Sequence, residues 1–193
     1  RLVEIDFHHK KLNSIIPEDI GDLDKLKILR LHGNELTGEI PENIINLSNL
    51  KILKLNSNSL SGSIPENIGT LSNLDSLYLS YNNLTGQIPE SITEIDSLTY
   101  LALDHNNLSG LIPEHIGSLD SLKFLYLDNN DLEGEIPQSI GNLTNLRRLY
   151  LLYNNLSGQI PDSICNIYTA NGYFQSMFHW NKLCPPYPEC VPP

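Results

Sequence analysis

The sequence predicts an α/β solenoid in which each turn of the chain adds one short strand to a parallel sheet. The first reason is a 24-residue unit, LxxLxLxxNxLxGxIPxxIGxLxx, which recurs seven times without insertion. The second is the strand-like alternation of its LxLx segment, which points successive side chains to opposite faces. The copies begin at Leu2, Leu26, Leu50, Leu74, Leu98, Leu122 and Leu146.

Each strand should turn its leucines inward and its remaining side chains outward. In the segment LYL, for example, we expect Leu77 and Leu79 to be buried and Tyr78 to be exposed. One strand per coil, with coils about 4.8 Å apart, then gives a continuous parallel sheet.

An asparagine recurs after every strand except the first, where Lys10 stands instead. An amide both donates and accepts hydrogen bonds, so it can satisfy backbone groups that a buried turn leaves unpaired. We therefore predict a buried ladder formed by Asn34, Asn58, Asn82, Asn106, Asn130 and Asn154. The Ile-Pro segment that follows is suited to start a short helix on the opposite side of each coil.

The motif LxxLxLxxNxLxGxIP resembles the plant-specific type of leucine-rich repeat, over residues 2 to about 167. Proteins of this type include receptor-kinase ectodomains and polygalacturonase-inhibiting proteins. The resemblance implies a right-handed superhelix with its parallel sheet on the concave face and short 3-10 or α turns on the convex face. It divides the chain into seven repeats over 1–167 and an aromatic, cysteine-bearing cap over 168–193.

The last segment, YTANGYFQSMFHWNKLCPPYPECVPP, is expected to cover the apolar end of the solenoid. The side chains suited to this role are Tyr173, Phe174, Met177, Phe178 and Trp180, although Trp180 could instead form a ligand platform. By resemblance to other cysteine-bearing caps, Cys184–Cys190 is the first expectation for a disulfide, and Cys165–Cys184 is the alternative. One of the three cysteines then remains free or pairs outside this sequence.

The net charge of −11 argues against nucleic-acid binding, which requires basic surfaces. The charge is uneven: residues 1–73 hold 8 basic and 10 acidic side chains, whereas residues 74–193 hold 4 and 13. A cationic partner would therefore be drawn to the C-terminal half. No apolar run is long enough for a membrane span, and the chain shows no signal-peptide pattern, although it opens within a repeat.

The outward positions of the strands change character along the chain. They carry no aromatic residue in coils two and three and seven in coils four to seven. Tyrosine combines apolar area with a polar tip and is favoured at interfaces, although strands also select aromatic residues for their β-propensity. The predicted ligand-binding residues are Tyr78, Tyr81, Tyr100, Asp104, His105, Phe124, Tyr126, Asp128, Tyr150 and Tyr153.

No motif predicts catalysis, a cofactor or a metal site; His8 and His32 are a weak metal candidate across the stack. Glycosylation sequons in a secreted protein occur at Asn46, Asn83, Asn107, Asn142 and Asn155. The template itself generates three of them, at Asn83, Asn107 and Asn155.

The leading functional prediction is a non-enzymatic, extracellular recognition module that binds a protein, peptide or glycan through its concave face. An alternative is a self-assembling surface or matrix protein, since an open solenoid end permits stacking. A minor alternative is ice binding by a column of small polar residues, which Glu133 interrupts: Asn13, Thr37, Ser61, Thr85, Ser109, Glu133 and Ser157.

Overall fold

The computed structural model describes residues 2–170 and 174–191. Within them, eight parallel strands form one sheet in the order in which they occur along the chain. These strands are β1 (Glu4–Asp6), β2 (Ile28–Arg30), β3 (Ile52–Lys54), β4 (Ser76–Tyr78), β5 (Tyr100–Ala102), β7 (Phe124–Tyr126), β9 (Arg148–Tyr150) and β11 (Gln175–Met177). The predicted concave parallel sheet is therefore confirmed.

The register of this sheet repeats the sequence period. Leu53 of β3 lies opposite Leu77 of β4, which in turn lies opposite Leu101 of β5. These leucines are fully or almost fully buried, while the tyrosine beside Leu77 keeps part of its ring exposed. Every coil consequently presents equivalent side chains at equivalent heights, and the outward residues form columns along the solenoid.

A second, smaller parallel sheet runs along one flank of the described residues. It contains β6 (Ser109–Gly110), β8 (Asp131–Gly134), β10 (Asn155–Gly158) and β12 (Lys182–Leu183). Its strands lie in the later coils, where the residues after the asparagine ladder pair with those of the neighbouring coil. A single parallel bridge between Glu39 and Ser61 shows the same pairing in the earlier coils.

The convex side carries short helices, as the repeat predicts. Six are 3-10 helices within the described residues: Glu18–Asp22, Glu42–Asn46, Ile68–Thr70, Glu90–Glu94, Ile116–Ser118 and Gln138–Asn142. The seventh coil replaces this turn with a short α-helix, α1 (Ile164–Ala170). None of the described helices has the length and apolarity needed to cross a bilayer.

The asparagine ladder makes the expected hydrogen bonds. In the fourth coil, Asn82 Nδ2 donates to the carbonyls of Leu79, at 3.0 Å, and of Leu55, at 3.1 Å. Its Oδ1 accepts from the Leu60 amide at 3.0 Å. Each ladder amide thus ties its own coil to the preceding one and satisfies backbone groups of both.

The segment predicted as a cap contains an eighth coil. Strand β11 extends the main sheet beside β9, and Asn181 continues the asparagine ladder by accepting from the Leu156 amide at 3.0 Å. The sequence period hides this coil because Ser176 lies opposite Leu149, an offset of 27 residues instead of 24. The longer α1 turn supplies the extra residues.

The side chains expected to cover the end of the core differ in how far they are buried. Phe178 is buried against the core, Phe174 is partly buried against it, and Met177 lies in β11. Trp180 is 67% exposed, so the expectation that it covers the core is wrong. Tyr173 lies outside the described residues.

The first coil leaves a group of apolar side chains in solvent. Leu2, Val3, Phe7 and Ile15 are each about half exposed or more, and no described strand pairs with the outer edge of β1. This end of the solenoid is therefore less shielded than the coils that follow it.

Candidate ligand-binding surface

Five aromatic rings form a continuous row on the concave sheet, which we call the aromatic strip: Tyr78, Tyr100, Phe124, Tyr126 and Tyr150. Tyr78 stacks on Tyr100 with ring centroids 4.4 Å apart, and Tyr100 lies 5.2 Å from Phe124 and 5.5 Å from Tyr126. Tyr126 then meets Tyr150 edge to face at 5.1 Å. The rings are half-buried, so the strip combines fixed packing with accessible faces.

The strip bends because its rings come from two columns. Tyr78 and Tyr126 belong to one column, and Ala102 occupies the position between them. The ring of Tyr100, from the neighbouring column, contacts both tyrosines and bridges this gap. A small residue at Ala102 thus leaves room for a zigzag of rings instead of a straight stack.

Cationic side chains lie against both parts of the strip. Lys54 Nζ is 4.3 Å from the centroid of the Tyr78 ring, and the Arg148 guanidinium carbon is 6.0 Å from that of Phe124. Arg148 Nη1 also donates to the Tyr126 hydroxyl at 3.3 Å. Such cation–π contacts hold the rings in place and make the borders of the strip positive.

Two phenols of the strip, those of Tyr78 and Tyr100, remain protonated at physiological pH. Burial raises the pKa of Tyr78 and, with the neighbouring Tyr126, raises the pKa of Tyr100 far above its ordinary value. Tyr150 uses its hydroxyl to donate to Gln175 Oε1 at 2.9 Å. The hydroxyls of Tyr78 and Tyr100 can therefore both donate and accept hydrogen bonds.

A second set of rings stands at the edge of the concave face, and we call it the rim ladder: Tyr81, His105, Tyr153 and Trp180. Each residue has a left-handed backbone, with φ between +53° and +58°. Tyr81 stacks on His105 at 4.1 Å, and Tyr153 stacks on Trp180 at 5.6 Å. Asn129 occupies the intervening position and separates the two pairs.

Asp104 and Asp128 lie between the strip and the rim ladder, on adjacent coils. Asp128 is only 8% exposed, and Asp104 is partly buried. Burial raises the pKa of both carboxyl groups, and the proximity of Asp128 raises that of Asp104 further. With the ring of His105 beside them, they form a compact acidic cluster in an otherwise aromatic surface.

The structure thus divides the ten predicted ligand-binding residues into three groups. Five form the strip, Tyr81, His105 and Tyr153 belong to the rim ladder, and the two aspartates lie between. The ten predicted ligand-binding residues did not include Lys54, Arg148 or Trp180, although the sequence offered Trp180 as an alternative ligand platform. The repeat offset could have placed Trp180 beside Tyr153: Trp180 stands 27 residues after Tyr153, the same offset that relates β11 to β9.

The concave face has a different character at its N-terminal end. Arg30 pairs there with Glu4 and Asp6, and the rings of His8 and His32 stack with centroids 5.0 Å apart. His32 Nδ1 is buried without a hydrogen-bond partner, and burial lowers the pKa of this histidine. The basic residues of this end are therefore partly neutralised by acids, and it lacks the aromatic strip.

The disulfide joins Cys165 to Cys190, with Cα atoms 5.6 Å apart, and Cys184 is free and exposed. Both expected pairings, Cys184–Cys190 and Cys165–Cys184, are therefore wrong. The physical reason is the period of the solenoid: the two bonded cysteines are 25 residues apart, close to one full coil. The proline-rich loop accordingly returns to α1 and does not close on itself.

The sequon asparagines lie at the surface. Asn46, Asn83, Asn107 and Asn142 are exposed, and Asn155 is partly exposed at the start of β10. Their modification stays a prediction.

A family model described as a leucine-rich repeat region matches residues 50–169, and a model described as Leucine Rich Repeat matches residues 25–47. The chain belongs to the leucine-rich-repeat family. No curated protein matches this leucine-rich-repeat chain significantly.

This leucine-rich-repeat chain is similar in structure to plant receptor ectodomains. The plant peptide hormone receptor RGFR1, solved in complex with RGF2, is 37% identical with a TM-score of 0.84 over 89% of this chain and 27% of that chain. The ectodomain of GASSHO1/SCHENGEN3 from Arabidopsis thaliana, in complex with CASPARIAN STRIP INTEGRITY FACTOR 2, is 35% identical with a TM-score of 0.85 over 89% and 20%. This chain therefore spans about a quarter or less of those receptor chains.

A plant ice-binding protein is also similar, at 28% identity and a TM-score of 0.58, over 98% of this chain and 76% of that chain. The repeat scaffold is thus shared by proteins of different function, and function has to be argued from the surface.

Proposed function

We propose that this chain is a non-enzymatic, extracellular recognition module that binds a peptide or an extended segment of a protein along the aromatic strip. The observation that carries the proposal is the continuity of the five rings across four coils, with cations at their borders. Clustered tyrosines with a flanking arginine are the side chains that most often dominate binding energy.

The geometry of the strip favours an extended polypeptide. The rings are packed against one another, so little side-chain entropy is lost when a ligand covers them. The phenols of Tyr78 and Tyr126 lie on the open face of the sheet and can bond to ligand backbone groups. Two similar solved structures are complexes of receptors named with peptide hormones or factors, which supports the same class of ligand here.

An extracellular setting is supported by the disulfide between Cys165 and Cys190, since such bonds persist in oxidising compartments. The similarity to receptor ectodomains supports the same location.

The test is selection of binders from a random peptide library displayed on phage, followed by affinity measurement with the synthetic peptides. Tyr126→Ala should weaken binding by at least five-fold, because it removes the central ring of the strip. Tyr187→Ala is the matched control, since Tyr187 is 52% exposed on the C-terminal loop, outside the strip. Peptides that bind Tyr126→Ala and the native chain equally well would remove the strip from the site.

Ice binding has less support from the column of small polar residues. The hydroxyls of Ser61, Thr85 and Ser157 lie 3.4 Å from glycine carbonyls of the preceding coil, to which they donate. Glu133 is exposed and interrupts the column. An absence of thermal hysteresis in a freezing assay would remove this alternative.

Self-assembly remains the structural alternative, because the first coil exposes apolar side chains. Light scattering with and without reductant separates the two functions. A monomer under both conditions agrees with a recognition module, whereas concentration-dependent polymers would favour assembly. A dimer that dissociates in reductant would indicate that Cys184 forms an intermolecular disulfide.

A further inference from the structure

Three donor side chains of two adjacent coils converge between the strip and the rim ladder. Asp104 and Asp128 occupy equivalent positions in coils five and six, and His105 follows Asp104 directly. One ligand atom from each residue lies within 4.8 Å of both others. Among residues 2–170 and 174–191, this is the one group of three or more such donors that converges so closely.

Among the described residues, no lysine or arginine forms an ion pair with Asp104 or Asp128. Asp128 is nevertheless only 8% exposed. A buried charge is normally paired or coordinated to a metal ion, because leaving it bare is unfavourable. His105 is the neighbouring group that can offset this charge, and it is itself a metal-binding side chain.

The donors are held in place by their neighbours. The Ser80 hydroxyl donates to Asp104 Oδ1, and Asn129 Nδ2 donates to Asp128 Oδ2 at 2.8 Å. The His105 ring stacks on Tyr81, and its backbone amide donates to the Asp128 carbonyl at 3.0 Å. A carboxylate has about four lone-pair sites, so each aspartate retains acceptor capacity for a further ligand.

We propose that Asp104, His105 and Asp128 form a binding site for a divalent transition-metal ion of the zinc class. Zinc accepts both imidazole nitrogen and carboxylate oxygen at about 2.0–2.2 Å, and three protein ligands leave its fourth position open. Tetrahedral ligands at these bond lengths lie about 3.4 Å from one another, so donor atoms that now lie within 4.8 Å of one another would close by up to about 1.4 Å when the ion binds. Ca²⁺ and Mg²⁺ prefer all-oxygen sites and fit this donor set less well.

The open position faces the concave surface, between the strip and the rim ladder. A bound ion would replace a repulsive pair of acids with a positive centre that can accept a ligand oxygen or nitrogen. The site does not depend on the proposed peptide recognition: metal binding can be present whether or not the strip binds a peptide, and the two are tested with different probes.

The test is isothermal titration of metal-free protein with ZnCl₂, in a Cys184→Ser background so that the free thiol does not bind zinc. One ion per chain should bind. His105→Phe removes the ring nitrogens but keeps a ring on Tyr81, and aromatic residues already occupy this position in other coils. This variant and Asp128→Asn should each weaken zinc binding by at least about ten-fold.

The stacked histidines of the first two coils supply the matched control. His32→Asn changes a competing donor to the residue that Asn56 places at the same position one coil later. This variant and Asp131→Asn, which removes a nearby exposed acid, should bind zinc as the native chain does. Zinc binding that is lost in His32→Asn and kept in His105→Phe would overturn the proposal, as would no binding at all.

Two further measurements test whether a loss of zinc binding is caused by misfolding of the variant. Circular dichroism and thermal unfolding in chelator should be similar for the native chain and for His105→Phe. Zinc should raise the unfolding midpoint of the native chain but not that of His105→Phe, because the ion binds only the folded site. Calcium that binds as tightly as zinc, with no effect of His105→Phe, would also contradict the assignment.

Discussion

Replacement of Asn106 by alanine tests whether the asparagine ladder holds the coils together. Asn106 is 8% exposed; its Nδ2 donates to the carbonyls of Leu103, at 3.0 Å, and Leu79, at 3.1 Å. Its Oδ1 accepts from the Leu84 amide at 3.1 Å. Alanine removes these bonds, together with a longer one from Nδ2 to the Asp104 carbonyl at 3.3 Å, and leaves backbone groups of two coils without partners.

The expected loss of unfolding free energy is about 3 kcal/mol, from three hydrogen bonds at about 1 kcal/mol each. Asn106→Asp should be at least as damaging, because it keeps the acceptor but sets a carboxylate against two carbonyls. Asn107→Ala is the matched control: the neighbouring side chain is exposed, so its removal should change stability by less than about 0.5 kcal/mol.

The assay is urea unfolding of protein from a non-glycosylating host, followed by circular dichroism and by tyrosine fluorescence. The two probes should report one transition, since a solenoid can otherwise unfold coil by coil. If Asn106→Ala were no less stable than Asn107→Ala, the ladder would contribute nothing and the account of its hydrogen bonds would be refuted.

Three further predictions use other features of the fold. Gly117→Ala should destabilise the chain by about 2 kcal/mol in the same urea assay, because the new Cβ would stand 1.9 Å from the Ser139 carbonyl oxygen; an unchanged midpoint would contradict this contact. Cys165→Ser should destabilise by about 3 kcal/mol, since the bond closes a 25-residue loop, whereas Cys184→Ser should leave both stability and the disulfide intact and remove the one thiol that reacts with Ellman's reagent. Burial raises the pKa of Asp104, so the stability that its protonated form contributes is present in acid and is lost as the pH rises through the raised pKa. Asp104→Asn should therefore stabilise metal-free protein more at neutral pH than near pH 4. Equal effects at both pH values would refute the assignment.

The repeat period made most of the fold predictable. Because each coil contacts only its neighbours, a phase read from Leu50, Leu74 and Leu98 fixes the strand, the ladder and the convex turn of every coil that keeps it. The eighth coil was not predicted from the sequence because α1 lengthens the preceding turn by three residues and Ser176 replaces the central leucine of the strand. Asn181 and Leu183, spaced as in the template, were the remaining signal.

The candidate surface was predictable as a set of outward residues but not as three groups. Column positions follow from the period, whereas ring contacts depend on rotamers, such as the tilt that lets Tyr100 meet Tyr126 across Ala102. The metal-ligand geometry of Asp104 and Asp128 depends likewise on where the left-handed backbone at His105 sends its ring. The correct disulfide could have been found by asking which cysteines are one coil apart.

The spacing of the coils also acts as a ruler for any extended ligand that lies across them. Strands repeat at about 4.8 Å, whereas residues of an extended chain repeat at about 3.3 Å, so three ligand residues match two coils. Tyr78 and Tyr126 are two coils apart in one column, with Ala102 between them. A ligand in the polyproline II conformation has three residues per turn and rises about 3.1 Å per residue, so its side chains at positions i and i+3 share one face and would engage both tyrosines at once. A slip by a single residue would place neither in contact. The surface would then discriminate between ligands by how well the residue spacing of the ligand matches the coil spacing of the solenoid, in addition to the chemistry of any one pocket.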